Sequence, residues 1–231
     1  MKVVALSSGS KGNCYYVETS KNKILLDAGR NYKYIKEKLA EINVNINDIN
    51  YILITHTHSD HITALKTIVS KTQATVVVTQ KIFYELNDIK DYEHIFIYED
   101  NIDLDGVIIN SIHSSHDAID SRNFIKLSNL DMYLFESNHD IELLQHGPYP
   151  AWLKKRVISD EGHLSNKAAS FYLSKLVGPN TKKIILIHLS ETNNNEEIAL
   201  ETIRNTFIDY DIDFDNISCA KQNEISEVIN L

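Results

Sequence analysis

The sequence has no apolar run approaching the ~20 residues of a membrane-spanning helix. Its opening residues, Met1-Lys2-Val3-Val4-Ala5-Leu6, run straight into Ser7-Ser8-Gly9, which is too short for a secretory signal. No membrane association is expected. Cysteine is scarce: Cys14 and Cys219 stand far apart and form no CxxC motif, so a reducing, cytoplasmic setting is expected. A basic excess is lacking too. Lys and Arg total 23 against 32 Asp and Glu, a net charge of −9, which excludes broad nonspecific affinity for nucleic acid. It leaves room for a nuclease in which metals and a local basic strip hold phosphate. The Gly-bearing stretch Ser7-Ser8-Gly9-Ser10-Lys11-Gly12-Asn13 is not closed by Gly-Lys-Ser/Thr; it is no Walker loop and reads as a hairpin connection. Internal repeats, low-complexity tails and linkers are also absent. What remains, 43% hydrophobic and 24% charged over 231 residues, suits one large domain with a sizeable core, or at most two small ones.

Against that background one stretch stands out. His56-Thr57-His58-Ser59-Asp60-His61 follows the short, apolar, β-rich run Tyr51-Ile52-Leu53-Ile54-Thr55, which reads as a strand buried on both faces. The cluster therefore leaves a rigid strand end, where open α/β sheets place their chemistry. On extended chain His56 and His58 point to one side and can grip one metal. Asp60 and His61 fall where a helix is expected to begin, with Ile62 to Val69 as its body, so they project toward a second point. Imidazoles with a carboxylate suit zinc, manganese or iron. The plainer reading is a polar loop rich in histidine. Three His and one Asp in this pattern are rare by chance at this chain's frequencies, which favours metal.

In chain order, Val3 to Leu6, Tyr15 to Glu18 and Lys23 to Leu26 read as strands, and Tyr32 to Ala40 as a helix. Asp27-Ala28-Gly29 lies between them. Asp27 is either a helix-entry residue or a group that orients a metal-binding histidine; the sequence leaves both open. Further strands are expected at Thr75 to Val78, His94 to Tyr98, Val107 to Ile112 and Asp131 to Phe135, with a short helix from Lys81. Ser165-Asn166-Lys167 caps a helix reaching about Leu176, before Gly178-Pro179. Lys183 to Ile187 repeats the earlier pattern of an apolar strand ending in a histidine, here His188. Glu196-Glu197 opens a last long helix. The basic run Lys154-Lys155-Arg156 beside Tyr149 and Trp152 could meet a nucleic-acid backbone and bases, although short basic runs are usually solvated faces.

Four segments along the whole chain carry a resemblance: Leu25-Leu26-Asp27-Ala28-Gly29, His56 to His61, Ser115-His116-Asp117-Ala118 and Ile187-His188-Leu189-Ser190. They resemble the metallo-β-lactamase superfamily, an α/β (α+β) fold built as a four-layer αββα sandwich. Within it the chain is similar to single-domain YycJ/WalJ-type proteins, regarded as DNA exonucleases. That finer likeness rests on Ser8-Gly9-Ser10 with Gly12-Asn13, on Glu136-Ser137-Asn138-His139-Asp140, and on Ser159-Asp160-Glu161-Gly162-His163-Leu164-Ser165-Asn166. The resemblance implies a two-metal site, zinc or manganese. His56, His58 and His116 would hold one ion, and Asp60, His61 and His188 the other, with Asp27 supporting them. Without it, His116 reads equally as a solvated turn histidine and His188 as a satisfied strand-end histidine. The implied catalytic set is Asp60, Glu136 and His163. Glu136 and His163 resemble the pair that protonates the leaving oxygen in the fold's tRNA 3′-processing endonucleases; their plainer role is to fix a loop. His139, His113 and His146 remain possible substrate contacts or surface histidines.

One expected segment is missing. The family carries a Thr-Asp-x-Gly strand end, whose aspartate bridges the metals, before the Glu-Ser-Asn-His-Asp segment. Here Phe124-Ile125 runs directly into Lys126-Leu127-Ser128. At typical strand lengths the difference amounts to about twenty or thirty residues. Either a real deletion weakens the site, or a segment is absent from the chain as numbered between Ile125 and Lys126. Loss of core strands would expose a sheet edge, which favours the second. The expected function is a metal-dependent phosphodiesterase, a DNA exonuclease. The alternatives are hydrolysis of a small ester, thioester or lactam, or a non-catalytic binding module if the bridging aspartate is lost. Flavodiiron-type redox chemistry would want a carboxylate where His58 stands.

Overall fold

The structure, a computed structural model, describes residues 1–112, 121–159 and 162–231. Strands β1 (Lys2–Ser7), β2 (Cys14–Glu18) and β3 (Lys23–Leu26) come first, then α1 (Tyr32–Glu41) and β4 (Tyr51–Leu53). Next are α2 (Ser59–Ile62), α3 (Leu65–Val69), β5 (Thr75–Thr79), α4 (Gln80–Glu85), β6 (Ile95–Tyr98), β7 (Asn101–Asp103) and β8 (Ile108–Asn110). The chain continues through α5 (Ser121–Leu127), β9 (Met132–Glu136), α6 (Ile141–His146), α7 (Ala151–Val157) and α8 (Asn166–Leu176). It closes with β10 (Lys183–Ile187), α9 (Glu196–Asp209), β11 (Ile217–Cys219) and β12 (Ile229–Asn230). These fall into two compact units, Met1–Ile112 with Lys221–Leu231, and His113–Ala220.

The first unit holds a seven-stranded sheet in the order β12-β1-β2-β3-β4-β5-β6. Pairing is antiparallel from β12 through β3 and parallel from β3 to β6. Alternation explains why its parallel strands read as unbroken apolar runs. Leu25, Ile52, Ile54, Val76 and Val78 face Ile35 and Leu39 of α1 and Leu65 and Ile68 of α3. Their neighbours Ile24, Leu53 and Val77 join Ile102 and Leu104, the latter two on and beside the β7–β8 ribbon. Both faces are buried, so the period-2 signal disappears. The second unit has a parallel three-stranded sheet, β11-β10-β9. Tyr133, Ile184, Leu186 and Ile217 pack there with Leu173 and Leu176 of α8 and Ala199, Ile203 and Phe207 of α9.

Two local expectations need correcting. The helix expected from Ile62 starts at Ser59 and breaks before Leu65, so Asp60 and His61 belong to its first turn. The strand expected through Thr55 pairs only as far as Leu53. Residues 121–127, around the junction at Ile125–Lys126, form helix α5.

Candidate functional site

In the first unit, parallel β3 and β4 run in register, Leu26 opposite Leu53, so Asp27 and Thr55 leave neighbouring strand ends. Asp27 turns the chain at once, with a left-handed φ of 60° that few residues other than Gly, Asn and Asp adopt. Its carboxylate, only 2% exposed, gathers three donors. Oδ1 accepts from the Thr55 amide at 2.8 Å; Oδ2 accepts from Thr55 Oγ1 at 2.8 Å and His61 Nδ1 at 2.7 Å. A hydroxyl has one proton, and Thr55 spends it on Asp27. Its oxygen, 3.0 Å from His56 Nδ1, therefore accepts from that ring. One buried carboxylate thus orients two histidines, His61 directly and His56 through Thr55, each through its Nδ1.

Helix α2 is clamped to the same loop. Ala28 N–H donates to His61 O at 2.7 Å, and Asn13 N–H to Asp60 O at 2.7 Å. A Cβ on Gly29 would overlap the Asp60 carbonyl oxygen and crowd the Asn13 amide, so only glycine permits this approach. Asn13 is buried, and its Nδ2 lies 3.2 Å from Asp60 Oδ2 and 3.1 Å from His61 Nε2. Ring centroids of His56 lie 4.8 Å from His58 and 3.8 Å from His61. His58 is exposed, at the N-cap position of α2. The electrostatics separate the two half-buried rings of His56 and His61. Burial works against a charge on His61, but hydrogen bonds to Asp27 and Asp60 outweigh it and raise its pKa to about 9. Burial, reinforced by the His61 charge, pushes His56 down to about 4.

In the second unit, β9 ends at Glu136, and β10 leads directly into His188, again with a left-handed φ, 58°. Glu136 Oε1 stands 2.8 Å from both His163 Nδ1 and His188 Nδ1; Oε2 accepts from the Leu164 amide at 3.2 Å. Burial disfavours the carboxylate's charge, yet the hydrogen bonds from His163 and His188 hold its pKa well below the ordinary range. Glu136, His163 and His188 bring ligand-type atoms within 4.8 Å of one another. The 2.8 Å separations are hydrogen-bond lengths, so the carboxylate serves the two rings and leaves the His188 Nε2 as its potential ligand atom. Around this pair Ser137 Oγ donates to Asn166 Oδ1, and Asn194 Nδ2 donates to Asn166 Oδ1 and to the Ser137 carbonyl. Asn138 Nδ2 donates to the His188 carbonyl at 2.8 Å. This buried network ties the ends of β9 and β10 to the start of α8. His139 is buried too, 2% exposed, with its Nδ1 unpartnered among the described residues.

The donor set fits divalent cations: imidazole nitrogens with a carboxylate, several rings already held through Nδ1 by an oxygen partner. His116, with His113, lies outside the described residues. His146 is solvent-exposed at the end of α6. Sequence reasoning missed the orienting roles of Asn13 and Thr55 and the burial of His139. Asn13 had a signal in the Gly12-Asn13 pair, but nothing in the sequence showed what its amide touches.

Residues 8–116 match the sequence pattern described as the Metallo-beta-lactamase superfamily. The exodeoxyribonuclease WalJ of Streptococcus pneumoniae serotype 2 (strain D39) is 36% identical over 241 aligned positions, covering 91% of this chain and 90% of that protein. The chain belongs to the metallo-β-lactamase superfamily. A second relative, the exodeoxyribonuclease YycJ of Bacillus anthracis, is 33% identical and covers 84% of each chain. The metallo-β-lactamase fold protein YhfI of Bacillus subtilis superposes with a TM-score of 0.66 at 13% identity, over 98% of this chain and 99% of that one. The fold is thus the metallo-β-lactamase fold, mixed α/β with central sheets and helices, and the superfamily is one of metal-dependent hydrolases.

Proposed function

We propose that this chain is a metal-dependent phosphodiesterase that degrades DNA as an exonuclease. The observation that carries the reading is the Glu136–His163 pair, with His163 Nδ1 2.8 Å from an ionised carboxylate. Departure of a sugar oxygen from a phosphodiester needs a proton, and an imidazole facing a carboxylate is suited to hold one. Hydrolysis of a small ester, thioester or lactam on this fold has no need of that group. The names of the relatives support the same substrate.

The proposed ligands are His56, His58, Asp60 and His61 in the first unit and His188 in the second; His116 keeps the same proposed role. Two bound zinc or manganese ions supply Lewis acidity toward phosphate oxygens and lower the pKa of water. Asp27 keeps His61 and, through Thr55, His56 from rotating, while Asn13 steadies Asp60. Glu136 fixes His163 and His188, and His163 gives its proton to the departing oxygen. Similarity to the relatives runs through both units, which supports treating residues 1–231 as one hydrolase. Unpaired Cys14 and Cys219 support a reducing, cytoplasmic compartment, and no helix among the described residues is long and apolar enough to cross a membrane.

The Ile125–Lys126 junction belongs to this proposal. At 91% coverage about 210 of the chain's residues are aligned with WalJ, so about thirty of the 241 aligned positions have no counterpart here. That size supports a strand pair present in that relative and lacking here. Turnover of linear DNA, set beside small esters and lactams with added manganese or zinc, tests the function. The reading expects loss of nucleotides from DNA ends, abolished by a chelator. Small-ester turnover without DNA loss would replace it with a small-molecule hydrolase, and neither activity would leave a binding module.

A further inference from the structure

Helix α7 has two unlike faces. Val157 is buried and Leu153 half-buried, and half-buried Lys154 is engaged by donating Nζ to the Gln145 carbonyl at 2.7 Å. Trp152, Lys155 and Arg156 are all exposed, Trp152 by 66%. Spacings of three and four place those three on one face of the helix. Helix-dipole complementarity explains basic residues in a last turn, but it gives no reason to leave the chain's one tryptophan in water. Ile158, next in sequence to α7, is exposed by 63% as well.

The helix is also joined to the Glu136-bound histidine. His163 N–H donates to the Val157 carbonyl at 2.8 Å, and Gly162 N–H to the Ser159 carbonyl at 2.6 Å. A Cβ on Gly162 would overlap the Val157 carbonyl and lie 2.5 Å from that of Arg156, so the loop presses directly against the end of α7. In a chain of net charge −9, a strand of DNA approaching His163 meets general repulsion unless cations stand locally. An aromatic ring beside two cations is the combination that engages single-stranded nucleic acid, by base stacking and phosphate contact.

We propose that the exposed face of α7 is a docking strip for single-stranded DNA, with Trp152 stacking on a base and Lys155 and Arg156 meeting phosphates. This rests on the phosphodiesterase reading, because the strip serves the substrate whose leaving oxygen His163 protonates. Trp152 provides its own probe. Titrating the full-length protein with a cleavage-resistant phosphorothioate oligonucleotide should quench tryptophan fluorescence. Replacing Lys155 and Arg156 together with alanine should weaken that binding. It should also flatten the slope of log K against log salt by about 1.4, from about 0.7 per phosphate contact on a single strand. Trp152→Ala should raise KM for single-stranded DNA on the order of 10-fold and leave kcat and turnover of a small activated phosphodiester unchanged; Trp152→Phe should restore most of the loss. No quenching in the wild type, or an unchanged salt slope, would overturn the strip. So would variants that alter only self-association, which would make this face a contact between copies of the chain. Failure of the wild type to degrade DNA at all would instead strike the phosphodiesterase reading, and the fluorescence titration would still judge the strip alone.

Discussion

Asp27 carries the most at the scale of single residues, because three donors converge on its two oxygens and two histidines depend on it. Replacing it with asparagine keeps the shape but removes the charge that draws the His61 proton. Asp27→Asn should weaken metal binding about 10–100-fold. In the metal-free chain it should also bring the His61 pKa from about 9 back toward the ordinary ~6.5; titration of the imidazole signals by NMR checks both. The sign follows from the direction of the shift. A histidine raised by folding contributes stability in full below pH ~6.5 and loses it as the pH climbs toward 9, so metal-free wild type should lose stability across that window and the variant should not. An unchanged metal affinity would leave Asp27 as a helix-entry residue, one of the two readings the sequence left open. Asp27 was conspicuous in the sequence because it ends an apolar strand. Asn13 was not, since an amide in a Ser- and Gly-rich loop looks the same whether it faces solvent or, as here, Asp60 and His61.

At the scale of elements, precision comes from backbone contact. Helix α2 has only four residues and too little surface to hold its own position; it is fixed by the amides of Asn13 and Ala28 reaching the carbonyls of Asp60 and His61. Gly29 is the residue that allows the approach. Gly29→Ala should destabilise the fold by about 1–3 kcal/mol and reduce metal affinity, measured by denaturant titration and calorimetry; normal metal binding would show that α2 is held by other means. Apolar strands and a capped long helix were legible: β3 and β10 match their expected limits, and the eleven-residue α8 starts after its Ser165 cap. Short helices such as α5, α6 and α7, at six or seven residues, span under two turns, too few for a 3.6-residue period to declare itself. The error at Ile62 has a related cause. Asp60 and His61 were expected where a helix begins and do lie in its first turn, as suits an acidic residue there; the break before Leu65 left no mark in the apolar pattern.

For the whole molecule, the sequence carried the family and the placement of histidines at strand ends. It could not carry the Glu136 geometry, in which one oxygen serves two rings from segments 27 and 52 positions away. The central claim is that His163 delivers a proton to the departing oxygen during DNA hydrolysis. It is tested most directly by the cleavage rates of His163→Ala on DNA and on a nitrophenyl phosphodiester whose leaving group needs no proton, at equal metal content. The substitution should cost about 10²–10⁴-fold on DNA and much less on the activated ester. Equal losses on the two substrates would contradict it.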